Sequence, residues 1–267
     1  MATHHSGHQP RKRFGQNFLR DDGVIEAIAR AISPRASDHL VEIGPGEGAL
    51  TAALVTSGCR FDAVELDRDL TARLLASFSI YDRFRLHNAD ALKFNFRSLL
   101  AEDGEARLRI VGNLPYNIST PLIFRLLEST DLITDMHFML QKEVVDRLAA
   151  EPGSKDWGRL SIMTQYYCDV SRLFDVPPEA FFPPPKVQSA IVRLVPKARE
   201  RRPDCAPEAL ATVVRLAFGQ RRKTLRNNFK GTFSDASLEA IGIDPGARAE
   251  TLNIETFAQL ARALSAI

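Results

Sequence analysis

The 267-residue sequence predicts an α/β fold with a doubly wound, mostly parallel sheet of seven strands and a small C-terminal all-helical domain. Three observations predict it. Short β-rich runs alternate with helical patterns from His39 onward, and a glycine-rich turn follows the first run. After Pro207 only helical patterns are found. The alternation requires crossover connections, and these place successive strands parallel to one another.

The first part of the sheet is predicted from five apolar runs and the helical patterns between them. The predicted strands are residues 39–44, 61–66, 83–87, 108–112 and 136–140. Helices are expected over residues 49–57 and 69–77, and a further helix is expected after the fifth strand.

Two more strands are predicted over residues 171–176 and 187–195, with the proline-rich stretch 176–186 between them. Because no helix separates them, they should pair antiparallel at one edge of the sheet. Residues 196–207 are charged and bounded by prolines, which is typical of a linker. The predicted organisation is a basic N-terminal segment (1–20), a sheet domain (21–196) and a helical domain (207–267). Its helical patterns cover residues 207–218, 222–229, 234–240 and 254–264.

Composition excludes several classes of protein. Hydrophobic residues make up 45% of the chain, enough for a sizeable core, and no apolar run is long enough to span a bilayer. The polar residues 1–10 do not resemble a secretory signal. Cys59, Cys168 and Cys205 lie far apart, as expected of reduced thiols in a cytoplasmic protein, and no His or Cys spacing predicts a metal site. No amphipathic seam stands out, so a monomer is expected.

The formal net charge is only +2, but the basic residues are clustered. One cluster precedes Asp21 and the other lies between Gly219 and Asp235. Two such clusters are compatible with binding a polyanion such as RNA, or simply with solvated charged faces. The candidate RNA-binding residues are Arg11, Lys12, Arg13, Arg221, Arg222 and Lys223.

The turn after the first strand has the chemistry of a cofactor site. Gly44 and Gly46 let the backbone approach a ligand closely, and Glu65 follows at the end of the second strand, where a carboxylate can accept ribose hydroxyls. These features predict an adenosine-containing cofactor without separating NAD from S-adenosylmethionine, although the glycine pattern departs from G-x-G-x-x-G. Asp90 ends the third strand and could accept from an adenine amine, cap the following segment, or do both.

The sequence Asn113-Leu114-Pro115-Tyr116 follows the fourth strand. An aniline-like amine is a poor nucleophile because its lone pair is delocalised into the ring. The side-chain carbonyl of Asn113 and the backbone carbonyl of Leu114 can accept its two hydrogens, while Pro115 holds the turn. Tyr116 offers a flat face for a flipped base, and Phe181 or Phe182 could close the other face. The alternative is a simple strand-ending turn.

These segments together closely resemble the KsgA (RsmA) family of ribosomal RNA small-subunit adenine dimethyltransferases. The segments that carry the resemblance are R-K-R-F-G-Q-N-F-L, E-I-G-P-G-E-G, E-L-D, N-A-D, N-L-P-Y-N-I-S-T-P, M-L-Q-K-E-V, F-F-P-P-P-K-V and F-G-Q-R-R-K-T-L-R. The resemblance runs from about Arg11 to Arg226 and implies a Rossmann-like methyltransferase sheet. The macrolide-resistance methyltransferases of large-subunit RNA share the core motifs.

The resemblance implies dimethylation of two adjacent adenosines in a hairpin loop near the 3′ end of small-subunit rRNA, late in subunit assembly. S-adenosyl-L-methionine would be the cofactor, S-adenosyl-L-homocysteine the product, and the small ribosomal subunit the partner, with no metal or membrane. The implied cofactor-binding residues are Asn17, Leu19, Gly44, Gly46, Glu65, Asp90 and Asn113. The implied catalytic set is Asn113, Leu114, Pro115, Tyr116 and Phe181.

Four alternatives stay open from the sequence. They are a large-subunit rRNA adenine methyltransferase of the resistance type, an inactive assembly factor, a DNA adenine methyltransferase and an NAD oxidoreductase. The last of these leaves the Asn113 to Tyr116 turn unexplained.

Overall fold

The computed structural model describes residues 17–100 and 107–266. The predicted basic residues Arg11, Lys12 and Arg13 lie outside the described residues.

A seven-stranded, mostly parallel sheet forms the centre of the fold. Its strands are β2 (His39–Ile43), β3 (Arg60–Glu65), β4 (Phe84–Asn88), β5 (Leu108–Asn113), β6 (Ile133–Gln141), β7 (Cys168–Val176) and β9 (Ser189–Pro196). Their order across the sheet is β4-β3-β2-β5-β6-β9-β7. The pairs β2–β3, β2–β5, β3–β4 and β5–β6 are parallel. The seven predicted strands are therefore confirmed, with bounds shifted by up to three residues.

Helices connect the strands: α1 (Asp22–Ile32), α2 (Ala49–Val55), α3 (Arg68–Phe78), α4 (Ser119–Leu127), α5 (Lys142–Leu148) and α6 (Arg159–Tyr167). Helix α1 was not predicted from the sequence, although its apolar residues have amphipathic spacing. The Asp21 side chain accepts from the Val24 amide at 2.9 Å and caps this helix, while Ile28 and Ile32 bury its inner face. The inner strand β2 is buried along its whole length, as expected for a parallel strand covered on both faces.

A second, two-stranded sheet pairs β1 (Phe18–Leu19) antiparallel with β8 (Phe181–Phe182). Phe18 and Leu19 are buried, 6% and 7% exposed, so this end of the N-terminal segment is packed against the rest of the fold. We call this pair the β1–β8 ribbon.

The described residues form two compact units. The first contains residues 17–142 and Leu173–Arg193, and the second contains Glu143–Arg172 and the residues from Leu194 onward. The second unit thus includes residues that the predicted domain boundary at 196 assigned to the sheet domain.

The second unit contains the helices α7 (Pro207–Ala217), α8 (Leu225–Asn228), α9 (Asp235–Ala240) and α10 (Ile254–Ser265). Its core includes Trp157, whose indole donates to the Leu252 carbonyl at 2.9 Å. Cys59, Cys168 and Cys205 are buried and form no disulfide with one another. No helix in the described ranges is both long enough and apolar enough to cross a bilayer.

Two buried aspartates lie near the starts of sheet strands and are fully paired. Asp62 accepts from His39 and His87 at 2.6 Å each. Burial alone would raise the pKa of Asp62, but these two partners outweigh it and lower the pKa to about 2. Asp135 receives two hydrogen bonds from Arg109, at 2.9 and 3.1 Å, and its pKa is also lowered despite burial.

Candidate active site

A single pocket in the first unit collects most of the predicted site residues at the carboxyl ends of β2, β3, β4 and β5. The predicted residues that line it are Asn17, Leu19, Gly44, Gly46, Glu65, Asp90, Asn113, Leu114, Pro115 and Tyr116. The carboxyl edge is where parallel α/β sheets bind their ligands, because the strand-to-helix turns meet there.

The two glycines of the turn are required by the backbone. Gly44 and Gly46 have φ values of 65° and 60°, in the left-handed region that side chains disfavour. A Cβ on Gly46 would also lie 3.0 Å from Cδ1 of Phe18. Gly46 therefore lets the turn pack against the Phe18 ring, which a side chain at this position would prevent.

Glu65 holds the turn from the end of β3. Its carboxylate accepts from the Gly46 amide at 3.2 Å and from the Asp67 amide at 2.8 Å. Burial raises the pKa of Glu65 in spite of these two bonds. Each oxygen keeps a further lone pair, so the carboxylate can still accept a ribose hydroxyl.

Glu42 is a second buried carboxyl in this pocket, and it was not among the residues predicted from the sequence. It is 2% exposed, and the Thr51 hydroxyl donates to it at 2.5 Å. Burial raises the pKa of Glu42 to about 7, the Thr51 bond opposes this, and the nearby Glu65 charge adds to it. The first acidic residue of E-I-G-P-G-E-G was the signal that could have identified it.

Asp90 was expected to cap a helix or to contact an adenine amine, and the structure has a turn at residues 91–93 in place of that helix. Its Oδ1 accepts from the Leu92 amide at 3.0 Å and closes a turn, while the side chain also lines the pocket. Contact with an adenine amine therefore remains a prediction.

Asn113 and Leu114 form the turn at the end of β5. Asn113 Nδ2 donates to the Asn17 carbonyl at 3.0 Å, which fixes the orientation of the amide. The Leu114 amide donates to the Met139 carbonyl at 3.2 Å, so this backbone is held from the next strand. Among the described residues, no group donates to Asn113 Oδ1 or to the Leu114 carbonyl. Both acceptors needed for an aromatic amine are therefore available.

Tyr116 is half-buried beside these acceptors. Its hydroxyl and the Ser189 hydroxyl lie 2.8 Å apart and form a hydrogen bond. Burial raises the pKa of Tyr116, which the Ser189 bond opposes, so the phenol is neutral at physiological pH. The ring is thus anchored at its polar end.

Phe181 is buried in the structure. It is 4% exposed and belongs to the hydrophobic core with Leu19 and Ile28, so the stacking role expected of it stays a prediction. Phe182 is the exposed ring of the pair, at 51%.

The C-terminal basic cluster lies in the second unit. Arg221 donates to the backbone carbonyls of Lys155 and Trp157 and so has a structural role as well as an exposed charge. Arg222 and Lys223 are exposed. The described ranges contain no group of three or more His, Cys, Asp or Glu side chains that could hold a metal ion.

The similarity of the chain to known proteins shows its family. The family model described as ribosomal RNA adenine dimethylase matches residues 7–266. The chain belongs to the ribosomal RNA adenine dimethylase family. A relative from Saccharophagus degradans, named ribosomal RNA small subunit methyltransferase A, is 59% identical over 258 residues, covering 97% of this chain and 96% of its own.

Solved structures agree with this family and fold. A dimethyladenosine transferase from Plasmodium falciparum has a TM-score of 0.76 and 25% identity, with 91% of this chain and 95% of its own covered. The 23S rRNA methyltransferase ErmE has a TM-score of 0.71 and 28% identity, with coverages of 93% and 100%. The predicted Rossmann-like methyltransferase fold is confirmed.

S-adenosylmethionine is the cofactor of this dimethylase, and the donor set of the pocket fits it. Glu65 and Asp90 can accept hydrogen bonds from an adenosine. The buried carboxyls of Glu42 and Glu65 also suit a ligand that carries a positively charged sulfonium and an ammonium group. Glu42 has no cationic partner among the described residues, and such a ligand would supply one.

Proposed function

We propose that this dimethylase transfers methyl groups to the exocyclic amines of two adjacent adenosines in a hairpin loop near the 3′ end of small-subunit rRNA, during late subunit assembly. The two unoccupied acceptors of the Asn113–Leu114 turn carry the proposal. The name of the 59% identical relative supports the small subunit as the substrate.

The chain's own residues position the amine. Asn113 Oδ1 accepts one amine hydrogen and the Leu114 carbonyl accepts the other, which localises the lone pair on nitrogen. Asn17 and Met139 hold these two groups beforehand, so little reorganisation accompanies the reaction. S-adenosylmethionine, when bound, supplies an electrophilic methyl on its sulfonium. The amine proton is lost readily after methylation, so no general base is assigned.

Tyr116 stacks on the flipped adenine in this mechanism. Its Ser189 hydrogen bond fixes the ring plane, and base–aromatic stacking contributes about 1–3 kcal/mol. The cofactor is held by Asn17, Leu19, Gly44, Gly46, Glu65 and Asp90. On the second unit, Arg222 and Lys223 contact rRNA phosphates, together with Arg221.

A large-subunit substrate is the second candidate, favoured by the structural likeness to ErmE. The test supplies labelled S-adenosylmethionine with small subunits lacking the two dimethyladenosines, with large subunits and with DNA. Label confined to small-subunit rRNA is expected. Label on large subunits would move the substrate to the resistance type, and binding of small subunits without any label would favour an assembly factor.

A further inference from the structure

The two faces of the β1–β8 ribbon have different surroundings. Cross-strand partners in an antiparallel pair project to the same side, and here Leu19 pairs with Phe181 while Phe18 pairs with Phe182. Leu19 and Phe181 are both buried in the hydrophobic core. Phe18 and Phe182 therefore project from the opposite face.

Phe18, on that opposite face, adjoins the cofactor pocket, which Leu19 also lines. The ring of Phe18 lies against Gly46 and lines the same pocket as Tyr116. Phe182 is the only phenylalanine of the described residues that is more than half exposed. Phe182 is thus an exposed ring at the rim of the pocket. It lies on β8, which pairs with β1, and Phe18 of β1 contacts Gly46 of the glycine-rich turn.

Arg20 is fixed beside this ring. Its backbone amide donates to the Ala180 carbonyl at 2.8 Å, and its side chain donates to Glu47, which lines the pocket, at 3.0 Å. The guanidinium carbon lies 4.8 Å from the centroid of the Phe182 ring. The Arg20 side chain is still 40% exposed, so it can donate outward as well.

Scattered exposed apolar residues need no functional explanation, but here the exposed ring is combined with an oriented guanidinium at the pocket rim. Aromatic rings stack on bases of single-stranded RNA, and arginine donates to phosphate oxygens. We propose that Phe182 and Arg20 form a subsite for the nucleotide next to the target adenosine. The neighbouring base stacks on Phe182, and its phosphate accepts from Arg20. This subsite rests on the proposed function, because it assumes an RNA substrate.

The test measures the affinity of the full chain for a labelled RNA hairpin with two adjacent loop adenosines, by fluorescence anisotropy. Phe182→Ala should weaken binding about tenfold through the lost stacking, and Phe182→Trp should restore it. Val187→Ala is the matched control, because Val187 is an apolar side chain of the same loop with 44% exposure. This control should bind RNA like wild type.

Arg20→Gln should lower the salt dependence of RNA binding by about one phosphate contact. Affinity for S-adenosylhomocysteine and the unfolding temperature should stay at wild-type values in both the Phe182 and the Arg20 variants. Equal losses of RNA and cofactor affinity in Phe182→Ala would overturn the subsite and make the ring a cover for the cofactor. Wild-type RNA affinity in Phe182→Ala, or no hairpin binding by wild type, would also overturn it.

Binding is measured without methyl transfer, so failure of the subsite and failure of the proposed function are separable. If Phe182→Ala weakens RNA binding but label goes to large subunits, the subsite stands and the small-subunit substrate fails. If small subunits are labelled and Phe182→Ala binds RNA normally, the reverse holds.

Discussion

Buried carboxyl groups have opposite surroundings at the starts and at the ends of the strands of the seven-stranded sheet. Near the strand starts, Asp62 and Asp135 are paired with imidazole and guanidinium groups, and their pKa values are lowered. At the strand ends, Glu42 and Glu65 receive hydrogen bonds from a hydroxyl and backbone amides but from no cationic group of the described residues, and their pKa values are raised.

A buried charge needs a partner, or the group stays neutral. At the strand starts the chain provides the partner itself, so these charges contribute to stability. At the strand ends the described residues provide none, and a cationic ligand can supply it. The difference separates a structural end of the sheet from a ligand-binding end, and four substitutions test that separation.

The largest stability effect is expected at the structural end. Asp62→Ala should lower the free energy of unfolding by about 3–5 kcal/mol, because it leaves His39 and His87 without their buried partner. Urea unfolding measures it, with the exposed Asp82→Ala as control, expected to change stability by no more than about 0.5 kcal/mol. A loss below about 1 kcal/mol for Asp62→Ala would show that the pairing is not stabilising.

The folded-state pKa of Asp62 lies below its ordinary value of 3.8. Its contribution is therefore present above pH 3.8 and is lost as the pH falls toward about 2. The acid limb of the stability curve should be flatter in Asp62→Ala.

At the ligand end, Asn113→Ala should reduce the single-turnover rate of methyl transfer about 100-fold or more, because one preorganised acceptor is lost. Cofactor affinity, measured by calorimetry, should change far less. Asn95→Ala is the control, because Asn95 is an exposed asparagine that does not line the pocket. Equal losses in rate and in cofactor affinity would contradict the acceptor role of Asn113.

Glu42→Gln should separate stability from binding. The folded-state pKa of about 7 exceeds the ordinary 4.5, so the Glu42 contribution to stability is present below pH 4.5 and is lost as the pH rises through about 7. At pH 8 the neutral glutamine should therefore raise the free energy of unfolding by about 1–3 kcal/mol. Unfolding at pH 5 and pH 8 measures this, and cofactor affinity should fall in the same variant. A variant less stable than wild type at pH 8 would argue against an uncompensated charge.

The smallest effect is expected for a paired charge on the surface. Arg97 and Asp131 form a 2.7 Å ion pair with side chains 66% and 61% exposed. Arg97→Ala should cost less than about 1 kcal/mol, because solvent screens the pair. A loss of stability as large as that expected for Asp62→Ala would mean that burial does not explain why the Asp62 pairing is more stabilising than the Arg97–Asp131 pair.

The sequence was sufficient to predict the seven strands of the main sheet and the residues at their ends, but not the short strands β1 and β8. Apolar runs and the glycine-rich turn are local signals, and Asn113 and Glu65 follow from their positions after strands. The burial of Phe181 could not be predicted in the same way. In a two-residue strand, which side chain is buried depends on the partner strand, and β1 lies more than 160 positions away in the sequence.

The charge states of the buried acids could not be predicted from the sequence either. Asp62 and Glu42 are both acids within apolar strands, and nothing in their local sequence distinguishes them. His39 and His87 reach Asp62 from neighbouring strands, 23 and 25 positions away. The pairing therefore appears only once the strand order is known.

The most direct test of this account is the number of protons released when S-adenosylmethionine binds at pH 6.5, obtained by calorimetry in buffers of different ionisation enthalpy. If Glu42 gives up its proton to face the cationic cofactor, wild type should release about half a proton or more per cofactor, and Glu42→Gln should release almost none. Equal proton release by both proteins, or none by wild type, would contradict the claim that Glu42 is a buried neutral acid that ionises when the cationic cofactor binds.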